Sequence, residues 1–175
     1  MMPNVRNYRR VGHEQLDAAR ISGAVRQAIP ASAAATFACL EDGEAWPVWL
    51  EPVKSVTWTS PKPFGVGTTR DITLGPTRRP AVINEEFYLW EDGVVMGFFF
   101  ASGTLPVFDA FAEEWRVTPT GDDSCELEWR YGIDLAGPLK YVSLLAAKRF
   151  GRDGQKSLGQ LADFMAAHKS KYRPE

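Results

Sequence analysis

Histidine is nearly absent: the 175 residues hold two, His13 and His168. Cysteine is as scarce, and no metal-ligand spacing surrounds Cys39 or Cys125. Without a cluster of His, Cys and carboxylates no metal is expected, and no cofactor is indicated. The two thiols read as free, semi-buried groups in a reducing compartment. Excess positive charge is also missing. A formal net charge of −2 lacks the basic footprint of a protein that binds nucleic acid. No apolar run reaches bilayer-spanning length, so membrane insertion is not expected. The first residues carry no secretory apolar stretch, and the expected location is cytoplasmic. No serine occupies a nucleophile elbow. The glycines of "FGVGTTR" lead into a strand rather than a helix, which argues against a phosphate cradle.

Aromatic residues, by contrast, are plentiful. Three tryptophans, Trp46, Trp49 and Trp58, crowd "EDGEAWPVWLEPVKSVTW". Pro47 and Pro52 interrupt this stretch, so one regular element cannot bury all three indoles, each worth a large apolar area. The chain is long enough for one domain with a sizeable core. Residues 1–20 are weakly periodic and read as an arm or short helix laid on a main body formed by residues 21–175. "AVRQAI" alternates as a strand. Ser32 is a good N-cap for "AAATFACLED", and "EAWPVWL" reads as a further helical turn with Pro47 near its start. Six period-two segments then follow at hairpin spacing: "VKSVTWT", "TTRDITL", "AVINEEFYLW", "VVMGFFFAS", "AFAEEWRVTP" and "CELEWRYGIDL". "GPTRRP" and "EDG" read as turns between them. Helical spacing takes over at residues 139–168, with Leu144, Leu145, Phe150, Leu158, Leu161, Phe164 and Met165 along one stripe. Gly151 and Gly154 weaken the middle of this helix and would let it sit off the sheet. The fold class is α+β: a curved antiparallel sheet of about seven strands gripping the long C-terminal helix, with two short helices after the first strand.

Several stretches resemble the START-like superfamily, also called SRPBCC, of the polyketide cyclase/dehydrase and lipid-transport type. "IPASAAATFACLEDGEAWPVWLEPVKSV" is similar to its first strand, Ala-rich helix and "WPxW" step. "FGVGTTRDI" is similar to its Gly-x-Gly-Thr-x-Arg strand entry, "EEWRVTPTGDDSCELEWRYGI" to its late hairpin and "SLGQLADFM" to the end of its last helix. The match spans about residues 22–168. The resemblance implies a helix-grip fold with a deep apolar cavity between sheet and long helix, and Trp46 and Trp49 as plugs or rim residues of that cavity.

Charges on apolar strands are the informative residues. Alternation puts Phe111, Glu113, Trp115 and Val117 on one face of their strand. It puts Trp129 and Tyr131 on the same face of the sheet as Trp115, with Arg116 and Arg130 pointing away. It leaves open which of Glu85 and Glu86 points inward. A buried charge needs a partner, so an inward Glu113 calls for an inward cation, and Arg70 is the expected one. The candidate catalytic groups are therefore Glu113, Arg70 and Glu86. The ligand-binding set is Trp46, Trp49, Arg70, Tyr88, Phe98, Phe111, Glu113, Trp115, Trp129 and Tyr131. The expected partner is a hydrophobic small molecule, lipid or polyketide-like; a homodimer is left open. A cyclase/dehydratase-type enzyme is the alternative, and a protein-interaction module is a third reading that needs an exposed apolar patch; the loop "GTLPVFD" reads equally as such a patch or as a cavity lid. Few ionisable groups converge and none is histidine, which favours binding over catalysis.

Overall fold

The computed structural model describes residues 5–76 and 80–172, with the side chains of residues 142–146 left undescribed. Eight strands and four helices follow one another as β1 (Arg6–Asn7), α1 (Gln15–Ala18), β2 (Ile21–Ile29), α2 (Ala33–Glu41), α3 (Trp46–Trp49), β3 (Val53–Trp58), β4 (Thr69–Leu74), β5 (Ala81–Glu91), β6 (Val95–Gly103), β7 (Phe108–Gly121), β8 (Ser124–Leu135) and α4 (Ser143–His168). All seven long strands are antiparallel, in the order β2-β8-β7-β6-β5-β4-β3. This is a meander with β2 brought round to the β8 edge. The hairpin at Asp92-Gly93 works because Gly93 takes a left-handed φ of 73°, which costs a residue without a Cβ little. The expected turn at residues 75–80 lies partly outside the described residues.

Helix α2 is capped as its sequence requires: the Ser32 hydroxyl accepts the Ala35 N–H. Its far end explains two of the crowded tryptophans. The last carbonyls of a helix have no partner within it. Here the Trp46 indole N–H donates to the Leu40 carbonyl at 2.9 Å, and the Trp58 indole N–H to the Glu41 carbonyl at 2.9 Å. Trp49 stacks behind Trp46, ring centroids 4.9 Å apart.

Helix α4 runs unbroken for 26 residues, so the glycines do not interrupt it. Leu158, Leu161 and Met165 are fully buried beneath it, and Phe150 and Phe164 are half-buried; the expected stripe positions Leu144 and Leu145 lie outside the residues whose side chains are described. Gly154 corrects one expectation. Rather than letting the helix stand off the sheet, it lets the helix touch it: a Cβ there would lie 2.2 Å from the Trp129 ring.

Residues 5–18 lie along the outer face of the sheet. β1 pairs with Gly103 and Ser102 of β6, and Val11 and Leu16 pack on Phe99, Ala110 and Ala112. Polar contacts fasten the strap. His13 Nδ1 lies 2.6 Å from Glu114 Oε1, and Arg9 bridges Asp109 and Asp134. No helix of the described residues is long and apolar enough to cross a membrane.

Candidate functional site

Between the concave face of the sheet and α4 lies a cavity of about 300 Å³. That size falls at the lower end of small-molecule pockets. Its floor is Ile72, Ile83, Phe98, Phe100 and Phe111. Trp46, Trp115 and Trp129 form one wall, and Phe150 and Leu158 of α4 form the roof. Leu105 and Phe108 of the "GTLPVFD" loop also turn into it, so the tip of that loop belongs to the cavity rather than to an outside patch. Exposed Pro52 and Asp153 mark where the cavity meets the surface, between the start of β3 and the helix.

Two charged constellations border this apolar space. In the first, Arg70 Nε donates to Glu85 Oε2 at 2.6 Å, with the side chains 1% and 6% exposed. Four rings surround the guanidinium: Phe98 at 4.6 Å from its centroid, Trp46 at 4.8 Å, Phe87 at 5.1 Å and Trp58 at 5.2 Å. An Arg boxed by π-faces is stabilised by their negative centres. Nη1 has no hydrogen-bond partner, so the rings and Glu85 carry the cation between them. Burial pushes the Glu85 pKa up, and the charge of Arg70 pulls it back.

The second constellation is Glu113 between two indoles. Trp115 Nε1 donates to its Oε2 at 2.8 Å and Trp129 Nε1 to the same oxygen at 3.0 Å. The two rings stack 5.6 Å apart. The register explains the convergence, because Trp115 sits opposite Trp129 and Glu113 opposite Tyr131 on the next strand. Glu113 is half-buried, but it lines the cavity, and the surface it keeps is cavity surface. Its pKa is pushed up to about 8, first by desolvation, then by the charge of Glu85; the two indole N–H groups and Arg70 act in the opposite sense.

The expected residues therefore divide. Trp46, Arg70, Phe98, Phe111, Glu113, Trp115 and Trp129 border the cavity. Trp49 stands behind Trp46 and Trp115. Tyr131 faces inward but packs on Trp129 and Phe150. Arg116 is exposed and Arg130 pairs with Asp17, both away from the helix, as alternation requires. Three placements are corrections. The buried partner of Arg70 is Glu85, not Glu113. Glu86 points outward and pairs with Arg10. Tyr88 points outward too, its hydroxyl donating to Glu114 Oε1 at 3.0 Å. Ile83, Glu85 and Phe87 do alternate inward, but the extra residue between Phe87 and Leu89 brings Trp90 to the same side as Phe87, so alternation counted from Trp90 points to the wrong glutamate. A usable signal was present nonetheless: counting equal steps from Leu74 and Ala81 puts Arg70 opposite Glu85. Phe150, Leu105 and Phe108 were not singled out, because nothing local distinguishes a cavity aromatic from a core one.

A curved sheet gripping a helix over an apolar cavity defines a START-like domain. The chain belongs to the polyketide cyclase/dehydrase and lipid-transport family, which residues 20–165 match. An uncharacterized protein of Mycobacterium tuberculosis is 38% identical over 143 residues, 77% of this chain and 81% of that one. Among solved structures, an aromatase/cyclase from a Streptomyces species superposes with a TM-score of 0.68 at 11% identity, covering 84% of this chain and 94% of that one. A START superfamily protein from Mycobacterium smegmatis gives 0.67 at 17% identity, covering 83% and 99%. At these identities the structural likeness speaks for the fold alone.

Proposed function

We propose that this protein binds a hydrophobic small molecule, lipid or polyketide-like, in the cavity between the sheet and α4. The observation that carries the reading is the cavity itself: apolar and aromatic walls on which Glu113 stands clamped by two indoles, with Glu85 already paired to Arg70 and Asp153 at the mouth. Few polar groups on an apolar surface are what a binding pocket needs to orient a ligand. The two free, buried cysteines support a reducing, cytoplasmic setting. Native mass spectrometry of the freshly purified protein, with titration by the neutral dye Nile red, tests the reading. A co-purified apolar mass or saturable dye uptake is the expected result. Neither one appearing refutes it.

A cyclase or dehydratase activity is the second reading, and one observation favours it. Glu113 holds its proton near neutral pH beside the space a substrate would occupy, as a general acid must. Turnover of a reactive poly-β-ketone that disappears in Glu113→Gln, while dye binding persists, is the result that would move the assignment to an enzyme.

A further inference from the structure

We propose that the cavity selects a neutral ligand, an apolar body bearing one hydrogen-bond acceptor such as a ketone, ester or alcohol oxygen, which docks on Glu113 Oε1, and that it discriminates against carboxylates and phosphates. The inference rests on the binding reading above and names the ligand class.

The first ground is how Glu113 is held. Both indole N–H groups are spent on Oε2. Oε1 makes no hydrogen bond among the described residues, and the side chain borders the cavity. One oxygen is thus fixed by the protein and the other is left to the contents of the cavity. Indole N–H groups only donate, so the clamp orients the carboxyl whether or not it is charged.

The second ground is the charge on the walls. Among the described residues that line the cavity, Arg70 is the sole cation beside the buried carboxyls Glu85 and Glu113, while Asp153 at the mouth is paired with Arg149 on the helix surface. The charge of Arg70 is already used by Glu85 at 2.6 Å and by four rings. With 1% of the side chain exposed, it cannot turn to meet a ligand anion without breaking that box. An entering carboxylate or phosphate would be desolvated beside acidic groups with no free cation, an unfavourable transfer. A neutral oxygen meets a carboxyl that carries its proton and donates it as a hydrogen bond, the state that burial and Glu85 favour.

The charged and titratable groups around this carboxyl lie on each neighbouring element: Glu85 on β5, which holds its pKa up, Arg70 on β4, which pulls it down, the Tyr131 phenol opposite it on β8 and Asp153 on α4 at the cavity mouth.

The experiment is displacement of Nile red by decanol, methyl octyl ketone and decanoate at about pH 6.5 and about pH 9.5, values that bracket the Glu113 transition. Wild type and Glu113→Gln are titrated side by side. At the lower pH the alcohol and the ketone are expected to bind wild type at least about tenfold tighter than decanoate. Raising the pH should weaken the ketone severalfold in wild type but not in Glu113→Gln, whose amide donates into the cavity at every pH. Decanoate binding as tightly as the neutral compounds overturns the proposal, as does ketone affinity in wild type that ignores pH. The wild-type series decides the matter even if the variant does not fold. Absence of saturable Nile red uptake instead overturns the underlying binding reading.

Discussion

Arg70 shows how a residue on the cavity wall can be held by the fold itself. Its guanidinium is taken out of water, paired once and wrapped in rings. Removing one partner of such a pair strands the other. Arg70→Met is therefore expected to lower stability by about 3–5 kcal/mol, because Glu85 would be left buried and unpaired. Arg70→Met combined with Glu85→Leu should recover much of that loss, since both desolvated charges go together. Urea unfolding of the two variants checks this; a single variant as stable as wild type would mean that the pair contributes nothing. The residue scale is also where sequence reading stops. Alternation along β7 and β8 was enough to place Glu113, Trp115 and Trp129 inward. It left β5 undecided, because the extra residue between Phe87 and Leu89 puts Trp90 and Phe87 on one side although they are three residues apart. With the inward face of β5 open, Glu113 stood in as the partner of Arg70, although the hairpin count puts Glu85 opposite it.

Among the elements, α4 does most to shape the cavity, and Gly154 sets its height above the sheet. Gly154→Ala would drive a methyl group into the Trp129 ring. Overpacking of this kind costs about 1–3 kcal/mol, which in a chain of this size lowers Tm by roughly 2–4 °C per kcal/mol. Alanine is otherwise the better helix former by about 1 kcal/mol. A rise in the melting temperature of Gly154→Ala would therefore show that the helix does not rest on Trp129. The period of each element was legible beforehand: two along the strands, 3.6 along α4, with a cap at Ser32. The meaning of Gly154 was not, because a glycine that weakens a helix and one that lets it dock look alike until the opposing surface is known.

For the whole molecule, the three raised carboxyls, Glu41, Glu85 and Glu113, and the lowered Asp42 and Asp134 set opposite slopes of stability with pH. The Glu113 pKa is pushed up to about 8 in the folded chain from its ordinary value of 4.5, which it regains when unfolded. Between those values the folded state holds the extra proton, so this contribution is fully present below about 4.5 and is lost as pH rises towards 8, at no more than about 1.4 kcal/mol per pH unit. Asp42 and Asp134 are held below the usual range; burial opposes this, but hydrogen bonds from Lys171 and Tyr172, and from Gln15 and Arg20, outweigh it. Their contribution is present above about 3.8 and lost as pH falls below it. Stability should thus peak on the acid side of neutrality. Glu113→Gln should flatten the decline above that peak, and thermal melts from about pH 4 to pH 9 would show it. An unchanged slope in the variant would mean that Glu113 titrates normally.

The row of indoles on and behind the cavity wall has an optical consequence. Trp49 lies 4.9 Å from Trp46, Trp46 5.4 Å from Trp115, and Trp115 5.6 Å from Trp129. At such spacings excitation hops from ring to ring far faster than it is emitted. Light absorbed anywhere in the row is therefore released from whichever indole lies lowest in energy, and the row glows as one lamp. Trp115 and Trp129, whose N–H groups grip Glu113, belong to that row. The intrinsic emission of the unlabelled protein is accordingly expected to respond to a molecule entering the cavity and to the proton on Glu113.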